Sequence, residues 1–378
     1  MDTTLPRGLA GVVADTTSIS SIDGERGELR YRGYDIADLV RNASFVVAAG
    51  LVVDGEIPDA AGARALEDAL ARDRALPPAA LGVLARLPRD THPMTALEVL
   101  LPLLDDAASK TFPHLSNRPV QRALLLSIAS RLPTAVAAWA RLRIGRDPVA
   151  PDPALSLHAD FLRMFRGETP HPREVATLDA TQILQMEHGF NASTFAGRTV
   201  ASTLAPLSMV LSACVAALYG PLHGGADEAA YRMALAIGDP AAAPAWVDAQ
   251  LAKKEKIMGL GHREYRVVDP RAVILKPMAL ELAELKGQAR VVRTLIAVDE
   301  HAERRFAEQG KRIRANVEFY KGAVFAALGI PAEFFTTLFA MSRAFGWGAH
   351  ALELWDSHVL YRPAARYVGA KEREIGRR

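Results

Sequence analysis

The sequence contains one cysteine, Cys214, in 378 residues. That excludes an internal disulfide framework and a multi-thiolate metal site. It matches a reducing compartment, and we expect a cytoplasmic protein. Charge of one sign is not in excess: 45 Lys and Arg face 43 Asp and Glu, for a net +2. Such a chain carries no strong field to favour nucleic acid or an anionic membrane. Met1 to Gly11 has no basic stretch followed by an apolar run, so no signal peptide is expected. There is no period of 20 to 50 residues that would make a solenoid. No His-x-x-x-His, His-Glu-x-x-His or calcium-loop spacing occurs, and we expect no metal. A Gly-x-Ser-x-Gly elbow and a P-loop are missing too.

What is there is apolar. Hydrophobic residues make up 50% and charged residues 23%, which suits a large buried core and not disorder. Val12 to Ile22 is β-branched and Ser/Thr-rich, then Asp23-Gly24 and Gly27 lead to Leu29-Arg30-Tyr31. That pattern predicts a β-hairpin with a slightly long turn. Beyond it helical signals dominate. Arg122 to Arg143, Ala289 to Glu308, and a stretch opened by Pro331 and running to about Trp355 all read as helices. Thr199 to Ala226 has no Asp, Glu, Lys or Arg. Its Ala/Ser/Thr content makes it a buried core or interface helix, not a membrane span. Residues 144–153 are Pro- and Gly-rich, which suits a domain linker or a helix–helix loop.

Three histidines sit beside glycines: His188 in Glu187-His-Gly-Phe, His223 in Pro221-Leu-His-Gly-Gly, and His262 in Gly259-Leu-Gly-His-Arg. Glycine permits close backbone approach and suits an imidazole facing a ligand; a histidine in an ordinary turn looks the same. Arg343 lies among apolar neighbours, Arg271 follows Asp269-Pro270, and Arg362 precedes Pro363. A buried arginine needs an anion, and its planar fork matches a carboxylate; snorkelling or an internal ion pair explains it as well. Glu318 is a carboxylate that can act as a base if it is held near an acidic proton.

Together these segments resemble the citrate synthase family over nearly the whole chain. The resemblance is carried by Ser20-Ser-Ile-Asp-Gly24, Leu29-Arg-Tyr-Arg-Gly-Tyr-Asp-Ile36, Asn191-Ala-Ser-Thr-Phe195, Pro221-Leu-His-Gly-Gly-Ala226, Ile257-Met-Gly-Leu-Gly-His262, Asp269-Pro-Arg271, Asn316-Val-Glu-Phe-Tyr320 and Tyr361-Arg-Pro363, in family order. It implies a mainly α, two-domain fold with a small N-terminal β-hairpin. Residues 1–223 and 324–378 would form the large, dimer-forming domain, and 224–323 the small one. It implies condensation of acetyl-CoA with oxaloacetate and hydrolysis of the thioester, with no permanently bound cofactor. Propionyl-CoA, giving 2-methylcitrate, is the alternative, and a catalytically silent paralogue that binds CoA or a partner is a third.

By that resemblance His223, His262 and Glu318 are catalytic. His188, Arg271 and Arg343 bind oxaloacetate. Arg362 is supplied to the neighbouring site of a homodimer. Lys311 and Arg312 are candidates for the CoA phosphates. No nucleic acid or membrane partner is expected, because Glu372 and Glu374 interrupt the basic tail of Lys371, Arg373, Arg377 and Arg378.

The chain departs from the family pattern at several positions. Glu318 stands where aspartate is usual, and Lys321 where serine is common. The extra methylene moves the carboxylate by about 1 Å, a displacement that can cost roughly 10²-fold in rate if nothing compensates. Since the other catalytic positions are filled, a shifted backbone is the expected compensation. Before His188, Leu184-Gln-Met-Glu replaces Leu-His-Ala-Asp. Asp227 replaces asparagine; an added anion there could change the hydrogen bonding of the His223 loop, but as an acid in the first turn of a helix it is expected in solvent.

Overall fold

A computed structural model describes residues 7–9, 11–105, 112–262, 264–370 and 372–373. Most of the Met1–Gly11 stretch and, from the basic tail, Lys371, Glu374, Arg377 and Arg378 lie outside the described residues; Arg373 is exposed. The fold is mainly α: sixteen α-helices and a single small sheet are described.

The expected hairpin pairs β1 (Ser20–Asp23) with β2 (Glu28–Tyr31), antiparallel, with Ile22 opposite Leu29. A third short strand, β3 (Tyr34–Asp35), extends it. Alternation along β2 turns Leu29 and Tyr31 inward. The buried Tyr31 hydroxyl meets the carbonyls of Ile183 and Glu187, both at 3.0 Å. The sheet thereby braces the segment that carries His188.

The helix Phe335–Asp356 is the spine of the molecule, buried on every face from Phe335 to Leu352. Its near-absence of charge explains why: no face of it favours water. Around it pack the helices Phe45–Asp54, Pro93–Leu100, Arg118–Arg143, Pro172–Gln185, Ala192–Ala201 and Leu207–Tyr219. Pro331 does not open this helix. It precedes a short 3-10 turn, Ala332–Phe334, that leads in.

The uncharged 199–226 stretch is not one helix, as the composition suggested. Pro206 lacks an amide proton and splits it, so the helix Ala192–Ala201 ends before Leu207–Tyr219 begins. The two then pack on one another. Residues 144–153 prove to be a helix–helix loop, since Arg118–Arg143 packs directly on Leu157–Arg166. Among the described helices, Arg118–Arg143 alone is long and apolar enough to cross a bilayer, and 78% of that apolar window is buried within the molecule.

A second set of helices packs chiefly on itself: Ala226–Ile237, Ala243–Ala252, Pro270–Leu285, Ala289–Glu308 and Val317–Ala327. Pro270–Leu285 and Val317–Ala327 also touch Pro172–Gln185. The candidate site lies where these two sets of helices meet.

Candidate active site

His188 follows the end of helix Pro172–Gln185 and is almost wholly buried. Its Nε2 lies 3.1 Å from the Tyr265 hydroxyl. Its ring meets the His262 ring edge-on, 5.2 Å between centroids. Burial, then the positive charge of Arg271, pushes its pKa well below the ordinary histidine value. It is a neutral imidazole at physiological pH.

His262 is placed by a loop that needs glycine. Gly259 and Gly261 have φ of +81° and +84°, a region closed to most side chains. The loop is tied to the residues before Glu318: the Gly261 amide donates to the Arg314 carbonyl at 2.8 Å, and the Asn316 amide to the Gly259 carbonyl at 2.9 Å. The His262 Nδ1 accepts amide protons from Glu264 at 3.0 Å and Tyr265 at 3.4 Å. An Nδ1 that accepts leaves the proton on Nε2, near Arg271. Burial, then Arg271, lowers its pKa to about 4.

His223 sits in the turn after helix Leu207–Tyr219. Its Nε2 lies 2.8 Å from Ser193 Oγ and 3.4 Å from the Ser193 amide, which can only donate. The ring proton is therefore on Nδ1. Burial, then Arg343, brings its pKa to about 4. The ring packs edge-on to Phe339 at 6.4 Å.

The two buried arginines differ. Arg271 is matched by Asp269 in a two-point pair, 3.0 Å from Nε and 2.8 Å from Nη2. Arg343 is 1% exposed and lies 4.6 Å over the Phe339 ring. Its Nε donates to the Gln185 carbonyl at 2.6 Å. Among the described residues no carboxylate lies within ion-pair distance of it. A buried cation without a carboxylate is a receptor for an anion.

A cavity of about 430 Å³ opens beside this cluster, lined by His262, Tyr265, Arg266, Asp269 and Arg312 among others. Arg312 thus borders it. Lys311 does not; it is exposed and bonds Gln309 at 3.0 Å. Among the described residues no group of three or more His, Cys, Asp or Glu is arranged to hold a metal.

The family profile described as "Citrate synthase, C-terminal domain" matches residues 8–364. The chain belongs to the citrate synthase family. It is 38% identical to a citrate synthase of Acidithiobacillus ferridurans, covering 97% of this chain and 96% of that one. It is 37% identical to a 2-methylcitrate synthase of Mycobacterium tuberculosis, covering 98% and 92%. The solved citrate synthase of Thermoplasma acidophilum, a ternary complex, superposes with a TM-score of 0.91 at 29% identity, covering 98% of each chain.

 The ligands of that ternary complex are carboxymethyl coenzyme A and oxaloacetate.

In this citrate synthase family member three of the departures from the family pattern, Asp227, Glu318 and Lys321, lie in contact. Asp227 is not in solvent, as its place in a helix start suggested. It is wholly buried, with Oδ2 3.3 Å from Lys321 Nζ. Lys321, equally buried, also contacts the Glu318 carboxylate. Glu187 is buried too: its Oε1 accepts from the Gly189 amide at 2.6 Å and lies 3.0 Å from both Ser20 Oγ and His350 Nε2.

Arg362 is not brought to this cluster. It is exposed in the extended tail, its Nη1 bonding the Pro363 carbonyl at 3.3 Å. Four residues of the site carried no assigned role in the sequence reading. Ser193 and Asp269 lie inside quoted motifs, and Tyr265 three residues past His262. Phe339, the ring shared by His223, Arg343 and Lys321, gives no local signal.

Proposed function

We propose that the chain condenses acetyl-CoA with oxaloacetate and hydrolyses the product thioester, releasing citrate and CoA. The observation that carries this reading is the convergence of two neutral histidines with opposite proton placements on two buried arginines and one carboxylate. Oxaloacetate is a small dianion with a ketone. Arg271 and Arg343 suit its carboxylates, and His188 completes the pocket. Glu318 takes a proton from the methyl group of the thioester. The electrons move onto the thioester oxygen, where the His223 Nδ1–H donates a hydrogen bond to the developing enolate. The enolate carbon then bonds to the ketone carbon. The His262 Nε2–H gives its proton to the new alkoxide. Water cleaves the citryl thioester, and CoA leaves as the thiol.

Residues 224–323 act in this reading as a small domain against 1–223 and 324–378, closing over oxaloacetate. The self-packing of the second helix set supports a division near these bounds, with helix Val317–Ala327 running across the 323/324 boundary. The chain acts as a cytoplasmic homodimer in which Arg362 reaches the partner's site; its exposed position supports a role outside its own protomer. Arg312 takes a CoA phosphate in this reading in preference to Lys311; its position at the cavity wall supports that choice. The similarity to a protein named 2-methylcitrate synthase keeps propionyl-CoA as the alternative acyl donor for this chain.

CoA-thiol release with oxaloacetate, comparing acetyl-CoA and propionyl-CoA, tests the reading. Faster turnover with acetyl-CoA, lost in Glu318→Gln, is the expected result. Preference for propionyl-CoA would make the chain a 2-methylcitrate synthase. No release with either, from folded protein, would sink both and favour a silent paralogue.

A further inference from the structure

Lys321 is 0% exposed, an unusual place for an ammonium group. It lies on helix Val317–Ala327, one turn after Glu318 and facing helix Ala226–Ile237. The two helices approach closely there: a Cβ on Gly322 would fall 2.5 Å from the Asp227 carbonyl oxygen. That approach shuts water away from Lys321. Its Nζ has three neighbours: the Glu318 carboxylate, Asp227 Oδ2 at 3.3 Å, and the Phe339 ring at 3.9 Å. Both carboxylate contacts are ion pairs.

One cation therefore serves two anions. Asp227 is wholly buried, whereas the Glu318 side chain keeps 15% of its surface exposed. Lys321 alone would hold Glu318 firmly and favour its ionised form. Asp227 alone would oppose that ionisation. Together they cancel in charge while keeping the contact that fixes the longer side chain. The other charges that Glu318 feels come from neighbouring elements: Arg271, Arg343, and the rings of His223 and His262.

We propose that Lys321 is the positioning residue for the Glu318 carboxylate, and that Asp227 sets how much of the lysine's charge Glu318 experiences. This rests on Glu318 as the base in the reaction above. Burial raises the Asp227 pKa to about 6, with Lys321 opposing and Glu318 reinforcing the rise. Below that pH Asp227 gains a proton, and Lys321 acts on Glu318 alone.

The test is the protonation midpoint of Glu318, read from pH-dependent carbodiimide labelling and peptide mass spectrometry. The proteins compared are wild type, Asp227→Asn, Lys321→Met and the double variant. Asp227→Asn removes the competing anion, so the midpoint falls by about one pH unit or more. Lys321→Met removes the cation, so it rises by a similar amount. The double variant returns close to wild type. Unmoved midpoints, or single variants that move it in the same direction, would overturn the proposal. If Lys321→Met does not fold, Asp227→Asn decides alone: a fall supports the proposal and no change overturns it. Citrate formation by wild type is measured separately. Expected midpoint shifts in a protein that makes no citrate would overturn the reaction and leave the network standing.

Discussion

Asp269 Oδ2 accepts the amide proton of Val317 at 3.0 Å while it pairs with Arg271. One carboxylate thus ties Arg271 to the helix start that carries Glu318. Burial alone would raise the Asp269 pKa, but Arg271 holds it below the usual carboxylate value. Asp269→Asn leaves Arg271 buried without its anion. Breaking such a pair costs about 3–5 kcal/mol. We expect a lower Tm, a higher KM for oxaloacetate and a lower kcat together. Thermal melting and steady-state kinetics check this, and a normal Tm would contradict it.

Arg343 should respond differently. Burial lowers its pKa, so its charge is held at a desolvation cost. No described carboxylate pairs with it. Arg343→Met removes a buried charge and costs one bond to the Gln185 carbonyl. We expect Tm to stay within about 3 °C of wild type or to rise. Losing a buried charge contact to substrate costs about 2–5 kcal/mol, so KM for oxaloacetate should rise roughly 30-fold or more. A large fall in Tm would assign Arg343 to the fold instead of the substrate.

How far the site was legible follows from the range of each signal. The helix Ala289–Glu308 and the hairpin were readable because their cues are local: apolar spacing in one, turn residues in the other. The histidines and arginines stood out because glycine and apolar neighbours mark them within a few residues. Asp227 was misread for the same reason. An acid in a helix's first turn is favourable in water, and nothing nearby announces Lys321, which the fold brings from another helix. Phe339 is one aromatic among many on an apolar helix. Its place beneath two cations exists only once the helices pack. Pro206 divides the uncharged stretch because a residue without an amide proton overrides a helix-compatible composition around it.

The pH dependence of stability follows from the histidines. Burial, then a neighbouring arginine, lowers His223 and His262 to about 4, and pushes His188 well below its ordinary value. In an unfolded chain histidine titrates near 6.5. Between about pH 6.5 and 4 the unfolded chain therefore binds more protons at these sites. Their contribution to stability is full above pH 6.5 and is lost as the pH falls. Glu98, raised to about 7 by burial, and Asp227, raised to about 6, act in the opposite sense over part of that window, two groups against these three histidines and His92, which burial also lowers. Tm should fall from pH 7 to pH 5, and fall less in His188→Gln. Melting curves at several pH values decide it; a Tm that rises on acidification would contradict the neutral assignment.

Arg362 offers the sharpest test of assembly. Its neighbour Tyr361 is fixed by Arg198 at 2.9 Å and by Asp15 at 2.5 Å, while Arg362 itself points into no site of its own protomer. If it serves a partner's site, Arg362→Ala and Glu318→Gln are each impaired as homodimers. In a mixed dimer, one site combines the intact Glu318 of one protomer with the intact Arg362 of the other. The second site has neither. Unfolding and refolding an equal mixture gives half mixed dimers with one working site in two, or about a quarter of the wild-type rate. Recovery to that level would establish both the dimer and the exchange of Arg362. Activity no higher than the mean of the two separate variants, in a mixture that has exchanged subunits, would place Arg362 outside the partner's site.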